Sequence, residues 1–125
     1  MAIAYVVAIA GCTTLDDARA TRGSGPSMAF NKSHDSVWIA VLESVEEIKY
    51  VGFNISQKSK DDGYVYIERG AHRFSWGENI AIFVNPVPDQ IKTHVEIIRQ
   101  PALKGSKYET VWDARLFKSL ELKLK

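Results

Sequence analysis

Glu78-Asn79-Ile80-Ala81-Ile82-Phe83-Val84 is the strongest strand signal in this 125-residue chain, and the fold follows from what flanks it. On its C-terminal side Asn85-Pro86-Val87-Pro88-Asp89 must interrupt pairing, because two prolines fix φ and remove backbone donors. Alternation then resumes over Lys92-Thr93-His94-Val95-Glu96-Ile97-Ile98-Arg99. On its N-terminal side, Phe53, Ile55 and Gln57 alternate with polar residues. The turn chemistry of Ser59-Lys60-Asp61-Asp62-Gly63 leads into Tyr64-Val65-Tyr66-Ile67-Glu68-Arg69, which predicts a β-hairpin.

Amphipathic helices bracket these four strands. Val37, Trp38, Val41, Leu42, Val45 and Ile48 recur at three- and four-residue spacing behind a cap at Ser33 or Asn31, and Gly52 is a left-handed stop. Ser106 followed by Glu109 has the spacing of a capping box, and it opens a final helix carrying Val111, Trp112, Leu116, Phe117, Leu120 and Leu124. Two helices with one apolar stripe each need the same apolar surface. The fold expected is therefore α+β, a two-layer sandwich: a four-stranded antiparallel meander with two helices on one face, in the order α-β-β-β-β-α. Ile80, Ile82, Val84, Val95 and Ile97 form the expected inward set, joined by Val65 and Ile67. Tyr64, Tyr66, Ala81 and Phe83 then point to the opposite face.

Upstream of this domain the composition changes. Ala2 to Ala10 is apolar and too short to span a bilayer, which takes about 20 residues. It closes with Ile9-Ala10-Gly11-Cys12, the last being the only cysteine of the chain. A small, polar stretch from Thr13 to Ser27 follows, with Leu15 as its one larger apolar residue, and it reads as a tether. The alternative for the apolar run is a buried strand, since Tyr5-Val6-Val7 is rich in β-formers. No side-chain charge precedes Asp16, whereas an export signal begins with Lys or Arg.

Ile9-Ala10-Gly11-Cys12 resembles the lipobox of bacterial lipoproteins. The resemblance implies that residues 1–11 are a signal segment, that Cys12 carries diacylglycerol and an acylated amino terminus, and that residues 12–30 tether a single domain over residues 31–125. It also implies an address in the cell envelope. Thr13 is not the aspartate that retains some lipoproteins at the inner membrane, so the outer membrane, facing the periplasm, is favoured over the inner one. A coil of that length reaches on the order of 20 to 25 Å, and two or more acyl chains anchor stably where one does not. From Asn31 to Lys125, the element order, Val37-Trp38, Gly63 and Thr93-His94-Val95-Glu96-Ile97 are similar to the small domains of the C subunit of the outer-membrane β-barrel assembly machine and related lipoproteins. That subunit has two such domains, and this chain has room for one.

The residues offer no catalytic constellation, metal site or cofactor motif. His34, His72 and His94 are too scattered for a His-Glu-x-x-His pattern, Asp61-Asp62-Gly63 lacks the remaining ligands of a calcium loop, and no serine sits in Gly-x-Ser-x-Gly. Sixteen basic against fifteen acidic side chains give a net charge of +1, which recruits neither nucleic acid nor an anionic membrane. Near Tyr64 and Tyr66, Lys58, Lys60, Arg69 and Arg73 are interleaved with Asp61, Asp62 and Glu68, as on a solvated face.

What remains is aromatic. Tyr64, Tyr66, Trp76 and Phe83, with Phe74, fall in or beside the central strands, and a sheet covered on one face leaves the other free to dock a partner. The competing reading covers Trp76 and Phe83 with a loop or the tether and makes Tyr64 and Tyr66 cross-strand pairs. The function expected is a non-catalytic, membrane-tethered module that docks an envelope protein. The alternative is a binder of a small glycan or lipid in a cleft between sheet and helices.

Overall fold

A computed structural model describes residues 14–70, 77–101 and 112–125. In chain order the elements are α1 (Leu15–Ala20), β1 (Ser27–Phe30), α2 (His34–Glu46), a 3-10 turn (Lys49–Val51), β2 (Phe53–Ser59), β3 (Tyr64–Arg69), β4 (Glu78–Pro86), β5 (Thr93–Pro101) and α3 (Trp112–Lys123). All strand pairings are antiparallel, in the order β1-β5-β4-β3-β2.

The expected architecture is corrected in two respects: among the described residues the sheet has five strands, not four, and there are three helices, not two on one face. Both additions come from the stretch read as a tether. Ser27 to Phe30 pairs along the outer edge of β5, with Met28 opposite Val95 and Phe30 opposite Thr93, and the Ile97 N–H donating to the Pro26 carbonyl at 3.0 Å continues the ladder. The alternation of Met28 and Phe30 sends both toward the main core, but four residues are too few for a period to show in sequence.

α1 forms because Thr14 and Asp17 cap its first turn reciprocally. The Asp17 N–H donates to Thr14 Oγ1 at 3.3 Å, and the Thr14 N–H donates to Asp17 Oδ2 at 2.9 Å. Its contact with the sheet rests on Leu15 and Ala18, both buried.

The first helix and the four strands expected from periodicity are present; of the final helix Trp112–Lys123 is seen, while its expected opening at Ser106 and Glu109 lies outside the described residues. Ser33 caps α2 by accepting from the Ser36 N–H, and Val37, Trp38, Val41 and Val45 are buried on its inner stripe. The 3-10 turn after it ends at Gly52, whose φ is +103°. The main core lies between one sheet face and α2 and α3: Val65, Ile67, Ile80, Ile82, Val84, Val95 and Ile97 meet Val37, Val41, Leu116, Phe117 and Leu120. These strand residues are the expected inward set. Burying each aliphatic or aromatic side chain there contributes about 1.5–3 kcal/mol relative to exposure.

Gly63 closes the hairpin between β2 and β3 at φ +74°, where a β-carbon would stand 2.5 Å from the Val84 carbonyl oxygen. Its own carbonyl accepts from the Val84 N–H at 2.8 Å, which locks the turn onto β4. Among the described residues, no helix is long and apolar enough to cross a membrane.

Candidate functional site

The face proposed for docking is assembled by register. Tyr64 lies opposite Phe83 and Tyr66 opposite Ala81 across β3 and β4, while Ala81 faces Ile98 and Phe83 faces Glu96 across β4 and β5. Tyr64, Tyr66 and Phe83 thus share one surface, as their alternation requires. That surface is covered. Leu15 and Ala18 of α1 pack with Tyr66, Ala81, Phe83 and Ile98 in a second, smaller core, leaving Tyr66 2% and Phe83 1% exposed and Tyr64 half-buried at its edge. Trp76 and Cys12 lie outside the described residues, as do His72, Arg73 and Phe74.

Polar groups hold this cover down. Glu96, 5% exposed, accepts from the Gly23 N–H at 2.9 and 2.7 Å through its two oxygens and from the Gly25 N–H at 2.9 Å. These charge-assisted bonds stitch the turn between α1 and β1 onto the sheet. Only glycine lets Gly25 come this close, since a β-carbon would stand 2.5 Å from the Ile97 carbonyl oxygen. Two guanidinium groups finish the cover: Arg22 lies 4.4 Å from the centre of the Phe83 ring and Arg19 lies 5.0 Å from that of Tyr64. Beneath them, the Tyr66 hydroxyl donates to Gln100 Oε1 at 3.4 Å.

Sequence reasoning missed Leu15, Ala18, Arg19, Arg22 and Glu96 in these roles. One signal was available: Thr14 followed three residues later by Asp17 has the spacing of a capping box immediately around Leu15.

Two other polar clusters stand at the ends of the sheet. At one end of the sheet, His34, Asp35, Lys60, Asp61, Gly63, Val84, Asn85 and Pro86 line an open depression of about 370 Å³. His34 Nε2 sits 3.2 Å from the Val84 carbonyl, which can only accept, so that nitrogen carries the proton. Lys60 Nζ sits 2.6 Å from Asp35. The hydrogen bond from Lys60, reinforced by its charge, holds the Asp35 carboxyl below its ordinary value. His94 is exposed on β5, and no group of three potential metal ligands converges among the described residues.

At the opposite end, Arg69 and Glu78 form an ion pair at 2.9 Å with side chains 7% and 0% exposed. The Arg69 guanidinium lies 5.2 Å from the Phe53 ring centre and 5.8 Å from that of Trp112, and those two rings meet edge to face at 5.7 Å. Arg69, grouped by sequence with a basic solvated face, is instead a buried structural cation, and the pair offers no surface to a ligand.

No protein-family model matches the chain, and no curated protein matches it.

Proposed function

We propose that this protein is a lipid-anchored, non-catalytic accessory module of the bacterial envelope, attached through Cys12 and working by holding a partner protein near the membrane. The observation that carries the reading is the apolar run ending in Ile9-Ala10-Gly11-Cys12, placed immediately ahead of a folded domain. Thr13 directly after the cysteine favours the outer membrane, facing the periplasm, as the address.

Tyr66 and Phe83 are occupied by α1, and Tyr64 lies at its edge on the same face, so partner contact falls to Trp76 and to the outer surface of the helical layer. Ile39 on α2 and Leu122 on α3 are each 58% exposed there. Metabolic labelling with a clickable fatty acid tests the anchor. Wild-type protein becomes labelled and fractionates with membranes, whereas Cys12→Ala does neither; membrane retention without label would count against lipidation. Photocrosslinking from Trp76 and Ile39 in intact cells tests the partner, and adducts at neither position would remove protein docking from the reading.

The second reading, a small envelope ligand, draws on the depression around His34, Lys60 and Asn85, because the space between sheet and helices is filled by the main core. Its polar lining suits the hydroxyls of a glycan better than an acyl chain.

A further inference from the structure

We infer that the sheet face carrying α1 rests on the lipid headgroups, with α2 and α3 turned away from the bilayer. The inference rests on lipidation of Cys12 as proposed above, and it adds what that reading lacks, an orientation. A free tether would let the domain stand off and turn. The described structure removes the slack.

Thr14 is already fixed, as the cap of α1. Two Cα steps separate it from Cys12, so the two Cα atoms are at most about 7.6 Å apart whatever conformation Thr13 adopts. α1 is in turn bound to the sheet by Leu15 and Ala18 below it, by Glu96 beyond it and by β1 pairing with β5. A lipid on Cys12 would therefore enter the membrane within roughly 10 Å of the start of α1, against the 20 to 25 Å reach of a coil spanning the same residues. The outer surface of the helical layer lies roughly 20 Å farther from the bilayer, one sheet-to-helix spacing plus a helix width away.

Charge does not drive this apposition. Arg19 and Arg22 are offset by Asp16 and Asp17, and Arg19 pairs with Asp16 at 3.3 Å. The short covalent link keeps the start of α1 at the bilayer without help from charge, so the apposition should be indifferent to anionic lipid.

The test uses the processed, lipid-bearing protein in phosphatidylcholine vesicles containing headgroup spin-labelled lipid. Because acylation occupies Cys12, Ala20→Cys on α1 and Lys118→Cys on α3, both exposed positions, each accept a single fluorophore. The Ala20 probe is expected to be quenched several-fold more strongly than the Lys118 probe, and equally so when a fifth of the lipid is replaced by phosphatidylglycerol. Inserting about fifteen Gly/Ser residues between Thr13 and Thr14 adds roughly 20 Å of reach and should erase the difference. Equal quenching at both positions in lipidated protein, or stronger quenching at Lys118, overturns the orientation and leaves the anchor standing. Absence of lipid by mass spectrometry overturns both.

Discussion

The two faces of the sheet are built on different principles. Among the described residues, nineteen apolar side chains form the core under α2 and α3, while six form the one under α1. The large core is held by area, with stripes from two long helices meeting alternate residues of the strands. The small one has too little area to hold itself, and a buried carboxylate, two backbone N–H groups of a glycine turn and two guanidinium groups over aromatic rings supply the rest. A domain can thus close its second face with a short segment if polar fastenings replace apolar contact.

The largest effect is expected at the buried ion pair of the large core. Glu78→Ala leaves the Arg69 cation among Phe53 and Trp112 without its carboxylate and should cost about 3–5 kcal/mol, read as a lowered urea midpoint. Replacing both partners by Leu and Met should recover most of that loss. If the single substitution is silent, the large core does not depend on the pair.

A smaller, local effect is expected on the other face. Glu96→Ala withdraws the acceptor from Gly23 and Gly25 and should cost about 1–3 kcal/mol. Because only the cover is loosened, amide exchange should accelerate across residues 15–30 while β3 and β4 stay protected. Uniform acceleration would mean that the two faces unfold as one. Thr14→Ala, which removes the side-chain half of the α1 cap, should cost about 1 kcal/mol and raise exchange in α1 without touching β1.

The smallest effect is electrostatic and lies outside both cores. Glu47 is held below its ordinary carboxylate value, first by the hydrogen bond from Ser119 and then by that from Lys123, and Asp35 is held down by Lys60. A depressed folded-state value means that the stabilisation is fully present above the ordinary values of 4.5 and 3.8, begins to fade as pH falls below them and is gone once pH has passed the lower folded-state values. Both groups are open to water, so the slope should be shallow. Urea titrations at stepwise lower pH should show the midpoint drifting down, with Glu47→Gln flattening part of the drift.

How far each face was legible follows from the same contrast. Period-2 and period-3.6 patterns long enough to register gave four strands, two helices and the inward set from Val65 to Ile97, because area-driven cores write themselves into apolar spacing. The cover left almost no such trace: one leucine, one alanine and a four-residue strand amid Gly, Ser and Pro. β4 nevertheless carried a warning. Ile80-Ala81-Ile82-Phe83-Val84 is apolar at every position, the signature of a strand buried on both sides, and the structure buries all five. Of the proposed docking residues, the shared face of Tyr64, Tyr66 and Phe83 was readable from alternation. That the tether covers Phe83 was the competing reading, and the structure bears it out; that it does so as a helix fastened by a glycine turn to Glu96 was not readable, since such hydrogen bonds have no spacing of their own.

The two outer strands also determine how copies of this chain behave when crowded. β1 offers a neighbour only four residues, and β2 slips register between Ile55 and Gln57 and sets Lys58 beyond the slip. Short or kinked margins make poor templates for strand addition. Molecules packed side by side at high density should therefore stay separate instead of zipping into ribbons.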